Sequence, residues 1–341
     1  MIKTSDFDYC LPEELIAQTP IEPRDASRLL VYDRKTGEVF HKRFHDIKDF
    51  LKAGDVLVRN NTKVLPARLF AFTEHGGKVE VLLLKRFNLT EWEVLVKPGK
   101  KCRLGTKLFI SEELSLIITG TFPETGSRKV QFIYDGVFED IISRIGEMPL
   151  PPYIKEKLKD KDRYQTVYAK TDGSAAAPTA GLHFTESLLS ELRDKGVIIV
   201  DILLHVGLGT FRPVKEENVE KHHMHSEYYE ISEEAARIIN CAKTEKRRVI
   251  AVGTTSIRAL ESAADDNGFI KPVKTDTQIF LYPPYKLKCA DGLITNFHLP
   301  KSTLIMLVSC LTGREKILEL YNIAIQEKYR FFSFGDSMMI L

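Results

Sequence analysis

Val249-Ile250-Ala251-Val252-Gly253-Thr254-Thr255-Ser256-Ile257-Arg258-Ala259-Leu260 reads as a short buried strand, a glycine turn and the start of a helix. Four apolar residues in a row suit a strand covered on both faces, as parallel strands are. The small and hydroxylated residues that follow suit a turn that caps a helix, here expected through Ala259–Ala264. The same scheme recurs on either side. Thr185 is placed to cap a helix carrying Leu188, Leu189 and Leu192 and stopped by Gly196. Val197–Leu204 is then nearly all apolar. Ser232 caps a helix carrying Ala235, Ile238, Ile239 and Ala242. Leu293–Phe297 is followed by Pro300, Ser302 and a helix over Leu304–Leu311. Strands alternating with helices predict an α/β core, a mixed sheet with flanking helices.

Between about 66 and 150 the pattern changes. Short β-rich runs occur at Lys78–Leu84, Trp92–Val96, Lys107–Ile110, Ser115–Thr121 and Lys129–Tyr134. Gly76-Gly77, Pro98-Gly99, Gly105 and Glu124-Thr125-Gly126 punctuate them. Short strands between Gly/Pro turns predict an all-β unit, a small antiparallel barrel or sandwich. The proline-rich stretch Met148–Tyr153 closes this zone. The expected division is therefore a core of residues 1–65 and 151–341, with a barrel of residues 66–150 inserted into it.

The chain has 341 residues, 43% hydrophobic and 28% charged, with 49 basic against 47 acidic side chains and a net charge of +2. That composition argues against collagen-like, mucin-like or largely disordered classes, and the charge balance excludes a histone-like polycation. It leaves room for nucleic acid on a local basic patch, such as Lys85, Arg86, Lys97, Lys100, Lys101 and Arg103. Five scattered cysteines form no C-x-x-C pair, which speaks against a disulfide framework or a Cys-rich zinc site. The N-terminus lacks a signal-peptide pattern, and the longest apolar run is far below the roughly 20 residues of a membrane span. A soluble cytoplasmic protein without membrane association is expected.

Four segments carry candidate chemistry, each where a strand should pass into a loop. Gly173–Thr185 packs small residues, Pro178, Thr179 and His183 ahead of a helix start. His205–Pro213 holds Gly207, Gly209, Thr210 and Arg212, but lacks the third glycine of a dinucleotide fingerprint. His222-His223-Met224-His225-Ser226-Glu227 would place His223, His225 and Glu227 on one face if it were a strand. It is readable as a metal site, a polar substrate-facing strand or a solvated loop. The fourth pools Gly253–Arg258 with Asp291–Ser302, which contributes Thr254, Thr255, Arg258, Asp291, Asn296, His298 and Lys301.

Taken together, these segments closely resemble the S-adenosylmethionine:tRNA ribosyltransferase-isomerases of queuosine biosynthesis. The resemblance begins at Phe7-Asp8-Tyr9 with Leu11-Pro12. It continues through Pro20–Arg28, Asn60–Arg68, Met148–Ile154, Tyr164–Tyr168 and the four segments, and ends at Tyr329–Asp336. Ala175 and Phe334 depart from it, standing where Val and Tyr are the more usual residues. The resemblance implies an α/β core with an inserted β-barrel, acting as a monomer. It also implies transfer of the ribosyl part of S-adenosylmethionine to 7-aminomethyl-7-deazaguanine at the tRNA wobble position. The ribose becomes an epoxycyclopentanediol, and adenine and methionine leave.

That reaction needs a base near C5′, whose protons the sulfonium acidifies, and an acid for the departing adenine. His183, His225, Glu227 and His298 are the acid–base candidates, and Asp291 is the candidate partner for a cationic group. Arg212, Arg258 and Lys301 are candidates for the methionine carboxylate or a tRNA phosphate. Pro178, Thr179, Gly207, Gly209 and Thr210 would shape the S-adenosylmethionine pocket, with Thr254, Thr255 and Asn296 also on the substrate side. The chemistry requires no metal or redox cofactor, because S-adenosylmethionine is consumed as the ribosyl donor. A metal-dependent hydrolase built on His222–Glu227 and a non-catalytic RNA-binding module are the competing readings.

Overall fold

The computed structural model describes residues 2–158, 160–207, 214 and 216–341. The chain divides into two compact units, one of residues 1–63, 151–171 and 177–341, the other of residues 64–150 and 172–176. The chain thus enters the second unit twice. Asp172–Ala176, expected in the core, packs with the barrel.

Among the described residues, the first unit holds a nine-stranded sheet. Its spatial order is Val273–Thr277, Glu227–Ile231, Ile198–Leu204, Val56–Asn60, Val249–Val252, Gly292–Asn296, Ser337–Ile340, Arg28–Tyr32 and Val39–Arg43. The four strands from Ile198–Leu204 to Gly292–Asn296 run parallel. Glu227–Ile231 joins them antiparallel on one side and Ser337–Ile340 on the other, so the sheet is mixed.

Alternation along Val249–Val252 explains the two covered faces. Ile250 and Val252 share a core cluster with Leu188, Leu189 and Leu192 of the helix Glu186–Asp194. Val249 and Ala251 point the other way and are fully buried as well. Thr185 caps Glu186–Asp194 by accepting from Leu188 N at 3.1 Å, and Ser232 caps Glu233–Thr244 by accepting from Ala235 N at 3.2 Å. Each such cap is worth about 1 kcal/mol.

The second unit is a closed antiparallel barrel. Its strands follow the order Ser127–Tyr134, Glu91–Lys97, Lys78–Arg86, Arg68–Phe72, Lys107–Phe109 and Leu114–Phe122. Leu69, Val81, Val94, Leu116, Val130 and Phe132 fill its interior, joined by Phe138, Ile141 and Ile142 of the helix Phe138–Ile145. Five of the six strands match β-rich runs in the sequence. The sixth, Arg68–Phe72, hides because Leu69-Phe70-Ala71-Phe72 is apolar at every position and shows no alternation. Leu69 and Ala71 face inward and are buried, while Phe72 is exposed.

Candidate functional site

The parallel strands end on one edge of the sheet, where open α/β folds bind ligands. The loops leaving Leu204, Val252 and Asn296 meet there with Ala177–Ala180, Tyr153, Phe332 and Ser333. Together they form a cleft whose walls include Pro178, Thr179, Val206, Gly253, Thr254, Thr255, Asn296 and His298.

Gly253 turns the chain from strand to helix at this edge. Its φ of 85° with ψ of 155° lies in a region open essentially to glycine alone. The helix Thr254–Ala263 therefore starts at the cleft wall, with its first N–H groups lacking partners within the helix. Thr255 is 8% exposed, and its Oγ1 is buried without a hydrogen-bond partner.

Asn296, 2% exposed at the end of its strand, organises the floor. Its Nδ2 donates to Phe332 O and to His183 Nε2, both at 3.1 Å. His183 Nε2 is thereby the acceptor, and Nδ1–H donates to Ser27 Oγ at 2.7 Å. The Ser27 hydroxyl in turn donates to Arg24 O at 3.3 Å. The His183 ring stacks on Phe44 at 5.0 Å between centroids. Burial, aided by Arg330, Arg163 and Arg24, pushes the His183 pKa down to about 3, so the imidazole is neutral. Asn296 Oδ1 remains buried and unpartnered.

His298 lines the cleft and holds Thr295 Oγ1 at 2.7 Å through Nε2. Burial pushes its pKa down to about 3 as well. Its backbone is fixed from two sides, since its N–H donates to Tyr321 Oη at 2.9 Å and its carbonyl accepts from the Tyr9 hydroxyl. Aromatic side chains also line the cleft. Phe332 adopts φ of 71°, unusual for a bulky side chain, and is held there by its N–H on Phe297 O at 3.1 Å. The Tyr153 ring packs on Phe332 at 4.8 Å, and its hydroxyl meets Ser333 Oγ at 2.7 Å. Burial pushes the Tyr153 phenol up to about 12.

Glu227 and Arg258 form a buried ion pair, Oε2 against Nη1, with each side chain less than 5% exposed. Glu227 Oε1 also accepts from Gly207 N at 2.9 Å. Arg258 lies one helical turn after Thr254, on the same helix face. Its Nε and Nη2 are buried without partners.

Other candidates lie elsewhere. The strand starts only at Glu227, so the expected alternation of His223, His225 and Glu227 does not occur. His223 and His225 are exposed ahead of it, and Glu227 is buried. His222 turns to Glu216 at 3.3 Å and packs edge-on against Phe280 at 5.3 Å. Among the described residues, no group of three or more His, Cys, Asp or Glu side chains is placed to hold a metal ion. Asp291 sits at the opposite end of the strand from Asn296, roughly 16 Å away along an extended chain. There its Oδ2 accepts from Val249 N at 2.8 Å. Lys301 is exposed and paired with Asp8 at 2.7 Å. Gly209, Thr210 and Arg212 lie outside the described residues.

Ser27, Tyr153, Phe332 and Ser333 carry no signature of their own in the sequence. The signal that contains them is the set of blocks Pro20–Arg28, Met148–Ile154 and Tyr329–Asp336, which carry the resemblance.

The family model described as queuosine biosynthesis protein matches residues 4–340. The chain belongs to the queuosine biosynthesis family. A relative from Fusobacterium nucleatum, named S-adenosylmethionine:tRNA ribosyltransferase-isomerase, is 60% identical over 337 residues, covering 98% of this chain and 96% of its own. One of the same name from Carboxydothermus hydrogenoformans is 60% identical over 342 residues and covers all of both chains. Among solved structures, an S-adenosylmethionine tRNA ribosyltransferase from Thermotoga maritima is 38% identical with a TM-score of 0.56. That match covers 99% of this chain and 100% of the other. Queuosine biosynthesis membership thus spans both units, including every described residue of the cleft.

Proposed function

We propose that this protein transfers and isomerises the ribosyl moiety of S-adenosylmethionine onto 7-aminomethyl-7-deazaguanine at the tRNA wobble position. The products are epoxyqueuosine-tRNA, adenine and methionine. The reading is supported by full-length similarity to relatives named for this reaction. The observation that carries it at the site is a cleft with two buried polar atoms, Thr255 Oγ1 and Asn296 Oδ1, that lack protein partners. Buried polar groups left unpaired cost about 1–3 kcal/mol each, a cost a polar ligand removes.

The cleft's chemistry matches the donor in kind. The Tyr153–Phe332 wall offers a flat apolar surface to a purine, and Asn296 Oδ1 is an acceptor suited to an exocyclic amine. The first turn at Thr254 and Thr255 suits a carboxylate. His183 and His298 are neutral near pH 7, so they act as acceptors or hydrogen-bond partners and not as imidazolium acids. Both ring nitrogens of His183 are engaged, which makes it a positioning residue for Asn296. His298, facing the cleft, is the acceptor best placed to touch substrate. Glu227 and Arg258 tie the helix Thr254–Ala263 to the Gly207 turn.

The proposal includes no metal or redox cofactor, since the donor is consumed. It also includes a monomer in the cytoplasm, where tRNA and S-adenosylmethionine meet. No helix among the described residues is long and apolar enough to cross a membrane. The test is a turnover assay with tRNA carrying 7-aminomethyl-7-deazaguanine, following adenine release and the mass of the modified nucleoside. Adenine with the epoxyqueuosine mass supports the proposal, whereas folded protein that releases none at any tRNA concentration overturns it.

A further inference from the structure

Large apolar side chains exposed on this chain concentrate on the barrel, and one cluster of them is interleaved with lysines. Phe72 and Phe109, 46% and 40% exposed, are directly opposed on the neighbouring strands Arg68–Phe72 and Lys107–Phe109. Directly opposed residues on antiparallel strands hold their Cβ atoms about 5 Å apart. Phe72 is also opposed to Lys78, whose ammonium lies 4.2 Å from the centroid of Phe70. Lys107 places its ammonium 5.1 Å from the Phe109 ring. Phe70, Phe72, Lys78, Lys107 and Phe109 all point outward, because Leu69, Ala71, Val79 and Leu108 between them fill the barrel.

Charge decides what such a face accepts. The acid on the same face, Glu80, is paired with Arg68 at 3.1 Å. Lys78 and Lys107 have no carboxylate partner among the described residues. A second aromatic site on the barrel differs in this respect, since Lys129 beside Phe87 is paired with Glu91 at 2.7 Å. Exposed rings flanked by uncommitted cations suit a polyanion whose units carry flat π-faces. Stacking on aromatic side chains combined with a cationic track is how single-stranded nucleic acid is held.

We infer that the outward face of Phe70, Phe72 and Phe109 with Lys78 and Lys107 is a docking platform for unpaired RNA bases. The inference rests on the proposed function for its partner, the loop of a tRNA. The phenylalanines stack bases and the lysines neutralise flanking phosphates. A duplex presents no base faces, so it gains only from the lysines.

The test uses the full chain and a fluorescently labelled RNA hairpin with an unpaired loop, read by anisotropy, beside a blunt duplex of equal charge. Phe72→Leu with Phe109→Leu is expected to weaken hairpin binding about tenfold and leave duplex binding unchanged. Lys78→Gln and Lys107→Gln are each expected to lower the slope of log affinity against log salt by about 0.7. Phe109→Trp is expected to bind with wild-type affinity and to lose fluorescence on hairpin addition. In turnover, the double Phe variant is expected to raise KM for tRNA about tenfold with KM for S-adenosylmethionine within twofold.

Unchanged hairpin affinity in the double Phe variant overturns the platform. So does a wild-type dimer in sedimentation that this variant dissociates, which would make the face a contact between copies. The two readings fail separately. Wild-type protein that binds the hairpin through these rings but releases no adenine sinks the proposed reaction alone. Normal adenine release with unchanged affinity in the variant sinks the platform alone.

Discussion

Asn296 and His183 meet at 3.1 Å beneath the cleft, with Asn296 Nδ2 donating to His183 Nε2. The contact joins the end of a parallel strand to the end of the short helix Thr179–His183. The second bond of the same amide, to Phe332 O, ties in the C-terminal segment whose backbone is held at positive φ. One amide group thus sets three walls of the cleft.

Asn296→Ala should therefore damage activity more than stability. It leaves His183 Nε2 and Phe332 O without their donor, a loss of about 1–3 kcal/mol. It also removes the Oδ1 proposed to meet the substrate. The expected outcome is a fall of about 100-fold in kcat/KM for S-adenosylmethionine, with a chain that still unfolds cooperatively. Adenine-release kinetics beside urea denaturation check it, and activity within threefold of wild type would remove Asn296 from the site.

The two buried histidines give stability a defined pH dependence. Each has a folded-state pKa near 3, below the ordinary 6.5. Between those values the unfolded chain binds a proton that the folded chain refuses. Stability should thus be flat in this respect above about pH 6.5 and fall as pH drops towards 3, by about 1.4 kcal/mol per unit for each histidine. Urea denaturation of wild type and His298→Gln at pH 7, 6 and 5 reads the slope. The variant should lose about one proton's share of it, and an identical slope would contradict a buried neutral His298.

Glu227 and Arg258 separate a structural contribution from a chemical one. Glu227→Ala leaves a buried guanidinium that already has two nitrogens without partners, and breaking such a pair costs about 3–5 kcal/mol. Glu227→Gln keeps a carbonyl oxygen for Gly207 N and should lose less. Thermal unfolding of both variants ranks them. Equal stability of Glu227→Ala and wild type would show that the pair contributes nothing net.

Much of the fold is legible because the core strands and caps are local signals. Val249–Val252, Thr185, Ser232 and Ser302 announce themselves by apolar runs and hydroxyl caps, and the structure places them as read. The strand Arg68–Phe72 is illegible because, after Arg68, its outward positions Phe70 and Phe72 are apolar like the inward ones. The site is legible only in part. Asp291 and Asn296 are five residues apart in sequence, yet an extended strand sends them to opposite edges of the sheet. Tyr153 and Phe332 come from a proline-rich stretch and a C-terminal turn, which chain folding alone brings together.

Gly253 tests the conformational argument in isolation. The nearest atoms a Cβ there would meet are Thr255 Oγ1 at 3.5 Å, Ala180 Cβ at 3.7 Å and Thr255 N at 3.9 Å, all ordinary contacts. Space is thus available, and the obstacle to Gly253→Ala is the backbone at φ 85° and ψ 155°. The substitution should cost about 1–3 kcal/mol. It should also shift the first turn at Thr254 and Thr255, raising KM for S-adenosylmethionine severalfold while leaving hairpin affinity unchanged. Urea denaturation and adenine-release kinetics measure the two effects. A Gly253→Ala protein with wild-type stability and KM would show that the helix start tolerates a different backbone path.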